Sequence, residues 1–119
     1  MLRVSPPPFQ NCKRFDQARA MIKTGTYTGN GADDRNIDIG VNLAAKNNVY
    51  VIIKGTTGAL QAHHRIEYAQ GDLSMSFMNS ADVANGIQAF TDTGFQVGSL
   101  VEVNENGQVF RYIAFWEEP

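Results

Sequence analysis

Asp34, Asn36 and Asp38 stand at the D-x-N-x-D spacing that opens a calcium loop. Such a loop gathers oxygens around a hard cation, turns at a glycine in its sixth position and closes with a bidentate glutamate at its twelfth. Those positions hold Ile39 and Ala45. The loop fails, and the three polar side chains are expected on the wet face of a strand. His63-His64-Arg65 is the chain's one histidine cluster. Adjacent strand residues point to opposite faces, so both histidines cannot serve one metal without a bulge. A third ligand would have to come from Glu67, Asp72 or Glu102, and nothing in the spacing brings one there. One packed or hydrogen-bonded histidine and one exposed histidine are expected, with no metal and no acid–base role.

The remaining candidates fall to similar arguments. Gly25-Thr26-Tyr27-Thr28-Gly29-Asn30-Gly31 is glycine-rich, but it lacks the G-x-G-x-x-G register, a Lys-Ser/Thr pair and a following helix. It reads as a turn between two strands. Asp33, Asp34, Glu67 and Asp72 supply carboxylates of the kind glycosidases pair across a cleft, yet acids in turns are ordinary. There is no G-x-S-x-G, and the single cysteine, Cys12, is expected to be a plain thiol. The sequence therefore points to no catalytic residue, no metal and no cofactor.

The 119 residues suit one domain with a core of its own, and 43% apolar content fits a globular chain. Pro6-Pro7-Pro8 and the charges around them argue against a signal peptide, and no apolar run approaches the ~18 residues of a membrane span. Charge is unevenly spread. Residues 1–23 carry Arg3, Lys13, Arg14, Arg19 and Lys23 against Asp16, a net +4, while the rest carries five basic and eleven acidic side chains, a net −6. A basic arm beside an acidic body is the expectation, without the interleaved aromatics of a nucleic-acid platform.

Short β-rich runs separated by Gly, Asn and Asp predict strands near 23–28, 35–40, 49–54, 59–67, 73–78, 86–91, 94–97, 100–103 and 108–116. The positions Phe15, Ala18, Arg19 and Ile22 permit a short helix, and Ser80 to Asn85 one helical turn. Asn106-Gly107 predicts a type I′ hairpin turn into the final strand. That strand is apolar on both faces, as is 49–54, and the two are expected side by side with Ile52, Ile113 and Phe115 inside. An all-β antiparallel sandwich, jelly-roll-like, over residues 24–119 follows, preceded by an extended N-terminal arm over 1–23. Phe9 and Phe15 on that arm would gain from filling pockets on a partner, with Arg3, Lys13, Arg14 and Arg19 at the rim.

The G-x-Y-T-G-N-G turn at Gly25 to Gly31, Val51-Ile52-Ile53-Lys54, His64-Arg65 with Gly71-Asp72, Ala84-Asn85-Gly86-Ile87-Gln88, Gly94 to Gly98, Val103 to Gly107 and Tyr112-Ile113-Ala114-Phe115 together resemble a β-sandwich domain of tailed-bacteriophage virion proteins. The resemblance spans roughly residues 24–116. One departure stands at Gly40-Val41-Asn42-Leu43, where that family has G-F-x-P. The resemblance implies a non-enzymatic structural protein of the virion, a capsid decoration (cement) protein. It would be made in the host cytoplasm and act on the outer capsid surface. Its partners would be the major capsid protein and its own copies, as a trimer, with neither nucleic acid nor membrane among them. The alternative is a tail-fibre or receptor-binding module that recognises a host surface or glycan.

Overall fold

The closing strand lies inside the larger of two sheets. In the computed structural model, which describes residues 19–118, eight strands follow in order: β1 (Arg19–Thr28), β2 (Arg35–Asp38), β3 (Asn47–Gly55), β4 (His63–Ile66), β5 (Met75–Ser76), β6 (Ile87–Phe90), β7 (Gly94–Val97) and β8 (Val109–Glu118). A 3-10 turn occupies Leu43–Ala45, and one helical turn, α1, occupies Val101–Asn104. The strands form two antiparallel sheets, β1-β8-β3-β4-β5 and β2-β7-β6. The chain is an all-β antiparallel sandwich. Its first strand pairs with its last and its second with its seventh, the nested wrapping of a jelly-roll-like fold.

Both β3 and β8 are apolar on each face, so alternation alone does not say which face turns inward. Charge does. Arg111 and Glu117 share the parity of Ile113 and Phe115, and Lys54 shares that of Ile52. Burying unpaired charges costs far more than one more apolar face returns, so that whole parity faces out. The core takes Val49, Val51 and Ile53 from β3 and Phe110, Tyr112, Ala114 and Trp116 from β8. The smaller sheet answers with Ile37, Ile87, Phe95 and Val97. Ile52 and Ile113 are only half-buried and Phe115 is 36% exposed, which corrects the inward facing expected of them. Tyr27 joins the two layers: its ring stacks on Phe110 and meets Phe95 edge-on, and its hydroxyl donates to the Val103 carbonyl at 2.7 Å.

Other expectations change locally. Arg19 to Ile22 are strand, not helix, and residues 19–23 of the expected arm are the first half of β1. Residues 100–103 are not a strand, because α1 turns there and buries Val103 and Asn104. The Asn106-Gly107 turn is accordingly no hairpin. Only Gly107 has positive φ, 84°, and the turn closes by a bond from the Gln108 N–H to the Glu105 carbonyl. No helical turn forms over 80–85. Val83 bridges instead to Ser74, and Asn85 takes a left-handed conformation at φ 66°.

Candidate functional site

The histidines divide as their adjacency requires. His63 points into the core, 3% exposed, with its Nδ1 3.3 Å from the Ser74 hydroxyl. Burial pushes its pKa below the ordinary value; Glu102 opposes that shift and His64 adds to it. Ser, His and Glu in one neighbourhood have the composition of a hydrolase triad, but the chemistry is closed. Ser74 is fully buried, and its hydroxyl already accepts the Ile87 N–H. A nucleophile must meet its substrate. His64 lies on the opposite face, where its Nδ1 pairs with the Tyr50 hydroxyl at 3.0 Å.

The acidic candidates are likewise engaged locally. Asn36 and Asp38 sit on the exposed side of β2, where Asn36 bonds Thr91 and Thr93, and Asp38 accepts the Gly40 N–H. Asp33 and Asp34 accept from Gln88 and Gln96, so the outer face of the smaller sheet is closed on itself by side-chain bonds. Glu67 accepts from the Val49 N–H. Among the described residues no group of three His, Cys, Asp or Glu side chains could hold a metal, and no helix is long and apolar enough to cross a membrane.

Among the described residues Arg65 is the one Lys, Arg, Asp or Glu side chain buried in the sandwich, 7% exposed. It donates to the carbonyls of Leu73 at 2.6 Å, Gly71 at 2.8 Å and Ile87 at 3.4 Å, and lies over the Phe90 ring. Those carbonyls offset its desolvation, so it clamps the loop after β4 to the edge of the smaller sheet. Of the residues assigned to the arm, Arg19 opens β1 opposite Glu118, while Arg3, Phe9, Lys13, Arg14 and Phe15 lie outside the described residues.

What remains open is the outer face of the five-stranded sheet. Register lines its residues into rows across the strands. Ile22, Phe115, Tyr50 and Ile66 form one row. Thr24, Ile113, Ile52, His64 and Met75 form the next. Beyond it come Thr26, Arg111 and Lys54, and on the other side Ala20 and Glu117. Ile22 is 62% exposed and Ile66 44%, and Phe77 stacks on His64 with ring centres 4.1 Å apart. Tyr50 stacks on Phe115, so aromatic rings run in contact from β8 to the β5 edge. Scattered exposed apolar side chains are ordinary, but the row Ile22–Phe115–Tyr50–Ile66, flanked by Ile113, Ile52 and Met75, makes a contiguous apolar band of the kind that interaction surfaces carry. A depression of about 420 Å³ lies on the basic side of this band, bounded by Thr24, Thr26, Ile52, Lys54, Arg111 and Ile113. Sequence reasoning passed over this face because it turned the same side chains inward. Arg111, sharing their parity, was the signal that would have found it.

The chain matches no known protein family, no curated protein and no solved structure.

Proposed function

We propose that this is a structural interaction protein that works by docking its flat apolar sheet face, with its N-terminal arm, onto a larger protein assembly. In the specific form that the resemblance implies, it is a capsid decoration protein on the outside of a phage shell, with the major capsid protein and its own copies as partners. The observation that carries the docking role is the apolar band on the outer face of the five-stranded sheet, made of the row Ile22–Phe115–Tyr50–Ile66 and the neighbouring Ile113, Ile52 and Met75. The polar side chains support it from the other direction. Those that look reactive, His63, Ser74, Asp33, Asp34 and Arg65, are bonded to one another, to the Gln88 and Gln96 side chains or to backbone, and hold the fold together.

The test is quantitative mass spectrometry on purified particles. A decoration protein is present in a copy number comparable to that of the shell protein, and Phe115→Asp removes it from the particle while its melting transition persists. A few copies per particle, or retention of Phe115→Asp, would overturn the reading.

A further inference from the structure

Lys54 on β3 and Arg111 on β8 are register partners, both on the outer face. Like charges directly opposite one another in a sheet repel and destabilise the pair. Among the described residues neither has a carboxylate within salt-bridge distance, the single such bridge being Lys46 with Glu118. Thr26 flanks Arg111 on β1, and the depression opens beside all three. Two cations held side by side at the rim of an apolar hollow are a seat for a carboxylate that carries apolar neighbours.

The same face carries such a carboxylate. Along β8 the outward side chains run Arg111, Ile113, Phe115, Glu117: basic, apolar, apolar, acidic. Glu117 is drawn toward β3 by the Asn48 amide, which donates to it at 2.5 Å, so it stands between the two strands as the Lys54–Arg111 gap does. Relief follows the same order. The exposed knobs Ile22 and Phe115 lie on the acidic half, and the hollow lies on the basic half. Charge and shape are both antisymmetric about the level of Ala114. A surface with that property fits a copy of itself turned end for end.

We propose that the occupant of this face is a second copy of the chain. The two copies are related by a two-fold axis that runs across the strands at Ala114, so that Glu117 of each copy enters between Lys54 and Arg111 of the other. β8 then lies antiparallel over β8, offset by the ~30° that sheet twist imposes on aligned face-to-face packing. Phe115 of one copy sits over Ile113 of the other, beside the hollow. An isologous contact of this kind closes after two subunits. The usable face measures roughly 20 Å by 20 Å, from strand spacing and rise, or about 400 Å² per copy. The total, about 800 Å², is below the range of stable specific interfaces and in that of weak, transient ones, so the dimer should be weak and strongly salt-dependent. The inference rests on reading this face as a protein-docking surface; it gives the face to a second copy of the chain, so that attachment to the shell falls to the N-terminal arm and the rest of the dimer's surface.

Sedimentation velocity on the purified full chain, from ~5 to ~500 μM, covers the range in which a small interface associates. The wild type should pass from monomer to dimer, with a shift toward monomer in high salt. Arg111→Glu and Glu117→Arg should each weaken self-association at least about tenfold, because like charges then meet across the axis. Their equimolar mixture should form a one-to-one heterodimer, since each charge meets its opposite again. Lys54→Glu leaves Glu117 and its Asn48 bond in place and should weaken the dimer in the same way, which keeps the test open if a Glu117 variant fails to fold. A monomeric wild type over the whole range, self-association unchanged by Arg111→Glu, or a mixture that does not associate overturns the proposal. So does a chain that dimerises only after residues 1–18 are removed, because its own arm then covers the face. Particle binding is read separately: a monomer that still decorates particles overturns the dimer alone.

Discussion

The backbone N–H of Asn30 donates to the side-chain oxygen of Asn104, 3.0 Å away and 74 residues along the chain. That bond is one part of a hub. The Asn104 amide is fully buried and donates to the carbonyls of Ala32 at 2.7 Å and Gly98 at 3.1 Å, while its oxygen also accepts from Arg35 at 3.0 Å. Its own carbonyl accepts the Gly31 N–H. One side chain thus ties the β1–β2 turn to α1 and to the end of β7. Asn104→Ala leaves the buried Gly98 carbonyl and the part-buried Ala32 carbonyl and Asn30 N–H without this partner, at about 1–3 kcal/mol for the buried group and less for the other two. A loss of roughly 3 kcal/mol in urea unfolding is expected, whereas an unchanged midpoint would mean water replaces the amide.

The same hub explains why two short motifs stand so far apart in the chain. Gly29 receives the Gly107 N–H on its carbonyl and donates to the Gln108 carbonyl, which continues the β1–β8 pairing past the strand ends. A Cβ on Gly29 would collide with the Glu105 carbonyl oxygen, so the close approach requires glycine. Turn glycines and asparagines were visible in the sequence, and the sandwich with them, because backbone conformation is a local property. Which face of β8 is buried was not visible, because both parities are apolar and the decision rests on partners such as Tyr27 and Phe95. The strand expected at 100–103 failed for the same reason: α1 forms where Val103 and Asn104 are needed under the sheets, and tertiary packing overrides local β-propensity. The docking face, which depends on facing, was lost with it.

The two faces of β8 differ in what truncation costs. Phe110 is fully buried between Tyr27 and the core, and Phe110→Ala should destabilise the fold by roughly 3–5 kcal/mol. Phe115, stacked on Tyr50 but 36% exposed, should cost about 1 kcal/mol in the same dilute unfolding experiment. Equal costs would mean that the outer face is covered even in the isolated monomer.

His63 gives the stability a dependence on pH whose sign follows from its burial. Its folded pKa lies below the ordinary 6.5, chiefly through desolvation, so the unfolded chain binds more protons between those two values. Stability is therefore full above pH 6.5 and falls as the pH drops from 6.5 toward the folded value. Thermal melts across that window should show the loss, and His63→Gln should flatten it. A slope that survives in His63→Gln would assign the proton to another group.

Truncations at the N-terminus separate arm from strand. Residues 19–23 pair with residues 114–118 of β8, with Ile22 opposite Phe115 and Met21 opposite Trp116. Lys23 reaches across to donate to the Ile39 carbonyl at 2.6 Å, joining the strand to the segment after β2. Deleting 1–23 would strip half of β1 away, leave the backbone of β8 from Ala114 onward without its neighbour and remove that bridge. An unpaired strand edge of this length destabilises the sheet and invites pairing with other chains. Deleting 1–18 touches none of these bonds. The shorter truncation should melt cooperatively near the wild-type temperature, and the longer one should lose several kcal/mol and aggregate on heating. Under the proposed function both should lose particle binding, the first without any loss of fold. If the 1–18 deletion binds particles as well as the full chain, the arm is not an attachment device.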